Sequence, residues 1–152
     1  MAIIGWGKPK IEVCKLEGDG TMPSSPVWEE FPTPVEGTTQ LTVTKGDKLE
    51  AKIEGGENED VKYKANTYQL VMNIRAAKGR DKPIEDFDGI IKDQYAVRLT
   101  PEDAEVPGFV IDRSTVSVED NWGSEEGGVW VYAFDVLKPA TGRQVKWQVI
   151  NP

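Results

Sequence analysis

The chain has 152 residues, 38% of them hydrophobic and 29% charged, which suits one domain with a packed core and argues against wholesale disorder. Eighteen basic residues stand against 26 acidic ones, a formal charge of −8, which disfavours tight binding to nucleic acid, whose affinity rests on Lys and Arg neutralising phosphates. Histidine is absent. That removes Ser–His–Asp and Cys–His triads, His-containing zinc sites and the easiest general base near pH 7.

The opening Met1–Pro9 has no basic n-region and no apolar run of signal-peptide length. No stretch approaches the roughly 18 apolar residues of a membrane helix. Cys14 is the only cysteine, so no internal disulfide forms. Synthesis and residence in the cytoplasm, with no membrane partner, is the resulting expectation. Gly5-Trp6-Gly7-Lys8-Pro9 holds a GxGK fragment, but Pro9 stands where a phosphate loop needs Ser or Thr and no strand precedes it. Cys14 itself lies in the strand-like run Lys10–Leu16, where a thiol with no base beside it reads as a small apolar residue.

From Glu17 to Thr38 the composition changes. Gly18, Gly20, Pro23, Pro26, Pro32, Pro34 and Gly37 rule out regular pairing, so residues 17–38 read as an extended arm or long loop. It carries Val27, Trp28, Phe31 and Val35, which a free linker would not expose. The arm therefore either packs back on its own domain or docks on a partner. Ordering some twenty residues at about 1–2 kcal/mol each exceeds what four anchors return at about 1.5–3 kcal/mol each. On that sum the arm orders only across a subunit contact, anchored by Trp28 and Phe31.

From Thr39 the period is two. Leu41 and Val43 alternate with Thr42 and Thr44, and Lys45–Lys48 reads as a tight turn. Leu49, Ala51 and Ile53 alternate with Glu50, Lys52 and Glu54, predicting one dry and one charged face. After the turn Gly55–Asp60, the same alternation returns through Val61, Tyr63 and Ala65, and again through Tyr68, Leu70, Met72 and Ile74. Alternating strands on short connections predict an antiparallel sheet.

Residues 83–91 break the rhythm. Pro83 stands at a first helical position with acids behind it, and Ile84, Phe87, Ile90 and Ile91 follow helical spacing, so one short helix is predicted there. Strands resume at Gln94–Leu99, Phe109–Ile111, Thr115–Val118, Val129–Leu137 and Gln144–Ile150. Val129–Leu137 is apolar on both faces, so it is either central in a sandwich or covered by another subunit.

The candidate sites are weak. Glu57–Asp60 and Glu119, Asp120, Asn121, Glu125 and Glu126 are rich in oxygen ligands but lack EF-hand spacing, and solvated turns carry acids for no special reason. Asp86 and Asp88 are two apart on the predicted helix and do not face each other, so the helix dipole explains Asp86 better than catalysis. Among the five tryptophans, Trp130 and Trp147 lie on predicted strands and read as core. Trp122, in the polar turn Asp120–Ser124, is the one candidate sugar-stacking platform. No catalytic, cofactor-binding or metal-binding residue is assigned, and no enzyme activity is expected.

Several segments together resemble the tail tube (major tail) proteins of long-tailed bacteriophages and prophages. They are Leu49–Glu57, then Asn66-Thr67-Tyr68-Gln69-Leu70, then Asp88–Ile91 with Tyr95–Asp103 and Pro107-Gly108-Phe109. The resemblance covers roughly Leu41 to the C-terminus. It implies that residues 1–152 are a single mainly β domain, an antiparallel β-sandwich or half-open barrel with one short helix. It further implies rings, hexamers in that family, stacked into a hollow tube that conducts viral DNA. Its partners would be copies of itself and other tail proteins, first in the host cytoplasm and then in the virion tail. The rival expectation is a non-catalytic carbohydrate- or protein-binding β-sandwich module.

Overall fold

A computed structural model describes residues 3–150, and every regular element among them is a strand. In chain order these are β1 (Lys10–Lys15), β2 (Glu29–Glu30), β3 (Gln40–Thr44), β4 (Lys48–Lys52) and β5 (Asn58–Tyr63). They continue as β6 (Thr67–Arg75), β7 (Ile90–Thr100), β8 (Gly108–Gly123), β9 (Gly127–Val136) and β10 (Lys146–Gln148). One antiparallel sheet runs in the order β2-β1-β7-β8-β9-β6-β3, with β10 added beside β8, while β4 and β5 pair only with each other.

The 16-residue β8 is the spine of the sheet. β7 runs along one of its edges from Phe109 to Ser117, while its other edge pairs first with β10 and then with β9. Between the pairs Val97–Ile111 and Tyr95–Ser114 the register slips by one residue on the β8 side. Such a bulge reverses the alternation of side chains. Phe109 and Ile111 face the core before it, and Val116 and Val118 face the core after it. The Ser114 hydroxyl, fully buried, donates to the Tyr95 carbonyl at 2.7 Å, so the bulge buries no unpaired polar atom there.

The sheet curls over its core without closing. Phe31, just past the edge strand β2, lies edge-on to Tyr132 with ring centroids 5.4 Å apart, and 5.9 Å from Phe134. Both partners are on β9, four strands away in the sheet order. In a flat sheet that distance is about 19 Å at roughly 4.8 Å per strand. The chain then crosses the opening, and the Val35 N–H donates to the Asn73 carbonyl of β6 at 2.8 Å before β3 pairs along β6. The two outer edges, β2 and β3, do not pair with each other.

Three expectations need correction. Residues 83–91 form no helix. Asp88 and Gly89 both take positive φ, 52° and 86°, and Phe87 and Ile90 exchange both backbone hydrogen bonds. That is a two-residue Asp-Gly turn of the primed kind, which outweighed the helical spacing of Ile84, Phe87 and Ile91. Secondly, the arm 17–38 is seated on its own subunit. It grips β1, the strand next to the edge, from both faces: Trp28 covers Cys14, Leu16 and Ala96, and Phe31, 4% exposed, fills the inner core. The entropy sum omitted two contributions, the Arg98 guanidinium stacked 4.5 Å from the Trp28 ring and the Phe31 N–H donating to Ile11 at 2.8 Å. Thirdly, β3 and β4 are not hairpin partners across Lys45–Lys48. β3 pairs with β6, β4 pairs with β5, and Leu49, Ala51 and Ile53 have no core to face.

Val129–Leu137 proves to be central. As β9 it lies between β8 and β6, with Tyr132 and Phe134 fully buried and Val131 and Ala133 half-buried on the other face. Replacing Phe31 by Ala should lower the unfolding free energy of dilute protein by about 3–5 kcal/mol in urea. Val27→Ala, at a side chain 70% exposed, should change it by no more than about 0.5 kcal/mol. Equal small losses at both positions would mean that the arm is not seated in the free subunit.

Candidate functional site

No group of three or more His, Cys, Asp or Glu side chains that could hold a metal ion comes together among the described residues. Glu57, Glu59 and Asp60 sit exposed at the far end of the β4–β5 hairpin. Asp120 is taken by the Lys82 ammonium at 2.7 Å. Asp86 and Asp88 do not converge. Asp86 accepts from Lys82 at 2.8 Å and from the Gly89 N–H at 2.7 Å, which locks the turn rather than a helix end. Burial pushes the Cys14 thiol up, away from the thiolate form that a nucleophile needs.

Gly5–Pro9 belongs to no strand–loop–helix unit. With Val35, Leu99 and Pro101 it lines an open hollow of about 680 Å³, and the Lys8 N–H donates to Glu102 at 3.3 Å. The tryptophans divide differently from expectation. Trp130 is half-buried against the core under Lys82, but Trp147, on the short outer strand β10, is 63% exposed and lies edge-on to Phe109. Trp122 is 78% exposed at the end of β8, as a stacking platform requires, and Trp6 is equally open.

What the structure does leave free is backbone and apolar surface. The β4–β5 hairpin contacts no other strand. Every residue from Asp47 to Asp60 is exposed, Leu49 and Ile53 included. The Lys64 N–H donating to the Asp47 carbonyl closes its root, and the Gly46 N–H donating to the Asn66 side chain joins the two connections to β3 and β6. Its far turn is built on Gly55 and Gly56, both at positive φ. A lone two-stranded hairpin is marginal in water. On this hairpin Lys48, Glu50 and Lys52 add only exposed ion pairs.

The second free element is β3, an outer strand of five residues with no charge and no proline, so it lacks the devices that blunt a sheet edge. The opposite edge, β2, consists of Glu29 and Glu30 and is blunted by charge. The third is the Asp-Gly turn, where Phe87 is 79% and Ile90 66% exposed around a hollow of about 550 Å³. The sequence contains the signal for the turn in Asp88-Gly89, but none for the exposure beside it.

This turn is held electrostatically from beneath. The Lys82 ammonium, and after it the Gly89 N–H, hold the Asp86 carboxyl below the usual carboxylate range against the upward push of burial. Burial pushes the Tyr132 phenol up to about 12, so it stays neutral and donates to the Ile84 carbonyl at 2.9 Å. For a carboxyl lowered in the folded state, the stabilisation is present above its unfolded value, near 3.9, and is lost as pH falls towards the folded one. Stability measured by thermal melts should therefore drop below about pH 4, and Asp86→Asn should make that drop shallower. An unchanged acid limb in Asp86→Asn would remove Asp86 from this role. No family model matches the chain, and no curated protein matches it.

Proposed function

We propose that the chain is a structural subunit that assembles with copies of itself into rings stacked as a phage tail tube, a conduit for DNA. The observation that carries this reading is the β4–β5 hairpin, which stands off the domain with its apolar residues in water and no core of its own. Such an element adds nothing to a monomer and gains on association. The uncharged edge of β3 supports the same reading, because it is an open template for a further strand. The hexameric ring size and the other tail proteins as partners come from the resemblance alone, as does passage from host cytoplasm to virion tail. Of the two architectures expected, the curled sheet with unjoined edges is nearer to the half-open barrel.

A conduit must not grip its cargo. On the outward positions of β6, β9 and the part of β8 beyond the bulge, the one cation is Arg75, whose guanidinium donates to the Glu126 carbonyl at 3.0 Å. The neighbours there are uncharged or acidic, among them Gln69, Asn73, Ser117 and Asp135. This face suits a wall along which phosphates slide, since each Lys or Arg contact adds salt-sensitive affinity. Linear duplex DNA should therefore bind no tighter than about micromolar at physiological salt.

Exposed Trp122 favours the second reading, a carbohydrate-binding module. A concentration series by light scattering, followed by electron microscopy of the concentrated sample, separates the two. Rings or tubes are the expected result. A chain that stays monomeric at every concentration, and whose Trp122 fluorescence shifts with an oligosaccharide, would replace the assembly reading with the module.

A further inference from the structure

We propose that the two Asp-Gly dipeptides of this chain have opposite fates: Asp19–Gly20 is its site of spontaneous isoaspartate formation, and Asp88–Gly89 is held against the same reaction by its turn and by the Asp86 carboxylate. This modification belongs to the free subunit and does not depend on the assembly reading.

In the reaction the glycine backbone nitrogen attacks the aspartate side-chain carbon Cγ. The amide proton and the carboxyl hydroxyl leave together as water, and a succinimide ring closes. Water then reopens the ring at either carbonyl. One opening restores aspartate, and the other leaves isoaspartate, whose backbone runs through the side-chain methylene, with no net change of mass. A following glycine favours the attack because it has no side chain to obstruct it. The sequence marks both sites alike. Exposure does not separate them either, since both aspartates are exposed and both glycines half-buried.

Backbone conformation does separate them. Asp88, at φ 52°, is the one non-glycine with positive φ among the described residues. In that left-handed region ψ lies near about +47°, which turns the following nitrogen to the side of Cα opposite Cβ. Cγ therefore cannot reach the Gly89 nitrogen until the turn opens. The turn is closed by the paired bonds between Phe87 and Ile90, at 2.9 and 3.0 Å, and the Gly89 N–H donates to Asp86 at 2.7 Å. A carboxylate at that N–H opposes the loss of its proton, which the attack requires. The Asp86 side chain is itself fixed, 3% exposed and paired with Lys82.

Asp19 lacks this lock. Its φ is not positive, and the Gly20 N–H donates to a neutral acceptor, the Glu17 carbonyl, at 2.9 Å. Its carboxylate accepts from the Thr21 N–H and hydroxyl at 3.1 and 2.6 Å, which hold it below the usual carboxylate range. That brake goes when the turn opens, and these bonds all run between residues 17 and 21, so opening leaves the sheet intact.

Ageing the purified, dilute chain in heavy-oxygen water and mapping its peptides by mass spectrometry tests the proposal, because each ring opening leaves one heavy oxygen at the residue. In urea the two sites should age alike, which fixes the contribution of sequence. In the folded chain Asp19 should age near its urea rate and Asp88 about tenfold or more slower, the factor that a hydrogen bond to a charged group supplies. Asp86→Ala should carry Asp88 towards its urea rate with Asp19 unchanged. Asp86→Asn, which keeps an acceptor for the Gly89 N–H, should protect Asp88 better than Asp86→Ala does. Circular dichroism verifies that both variants fold, and the comparison of the two sites in the native chain stands without them. Equal ageing at the two sites of the folded chain, an Asp19 as slow as Asp88, or an Asp88 still protected in folded Asp86→Ala would overturn the assignment.

Discussion

A sheet that curls until its first edge faces its far half must be held in that curl, and here one aromatic residue does it. Phe31 sits between the β1–β2 edge and β9, against Tyr132 and Phe134. Its place depends on both flanks of the arm. Glu29 and Glu30 pair along β1, and Val35 bonds to β6. The arm is thus a buckle across the mouth of an open sheet. Because the buckle is made of side-chain packing and single hydrogen bonds rather than a strand ladder, the sheet keeps two edges, one blunted by charge and one open.

The bulge in β8 is the second constraint. By inserting one residue it lets the same strand face the core on both sides of a change of partner along one edge, from β10 to β9, while β7 stays paired along the other. Lys146 pairs with Asp112 at the bulge, and the Arg113 side chain donates to Gln94 at 2.8 Å. The polar residues that a two-residue period would read as an interruption between Ile111 and Thr115 are the hinge of a continuous strand.

The strands of the interior were legible because their environment obeys their period. Leu70, Met72 and Ile74 alternate into the core, and alternation is a statement about one face being buried, whereas Val129–Leu137 was legible as a strand with two apolar faces. The same signal over Leu49, Ala51 and Ile53 identified a strand correctly and its burial wrongly, since a period of two tells that a face exists and not what covers it. Pro83–Ile91 misled because Ile84, Phe87, Ile90 and Ile91 fit helical spacing, whereas the two that decide the backbone are Asp88 and Gly89. The arm misled because its balance was drawn from apolar anchors alone. The partners of Trp28 and Phe31, Arg98 and the Ile11 carbonyl, are distant in sequence and join it only through the fold. No residue pattern marked a catalytic or metal centre, and the free surfaces show only once each strand's partners are known.

The central claim is that the β4–β5 hairpin is an assembly element idle in the free subunit. Hydrogen exchange followed against protein concentration tests it most directly, since exchange reports the opening free energy of each segment. The account predicts that backbone amides of Lys48–Lys52 and Asn58–Tyr63 exchange fast in dilute protein and slow sharply as the protein assembles, while those of Tyr132 and Phe134 are slow throughout. Hairpin amides that exchange at one rate across the whole concentration range, in a sample that does assemble, would contradict it.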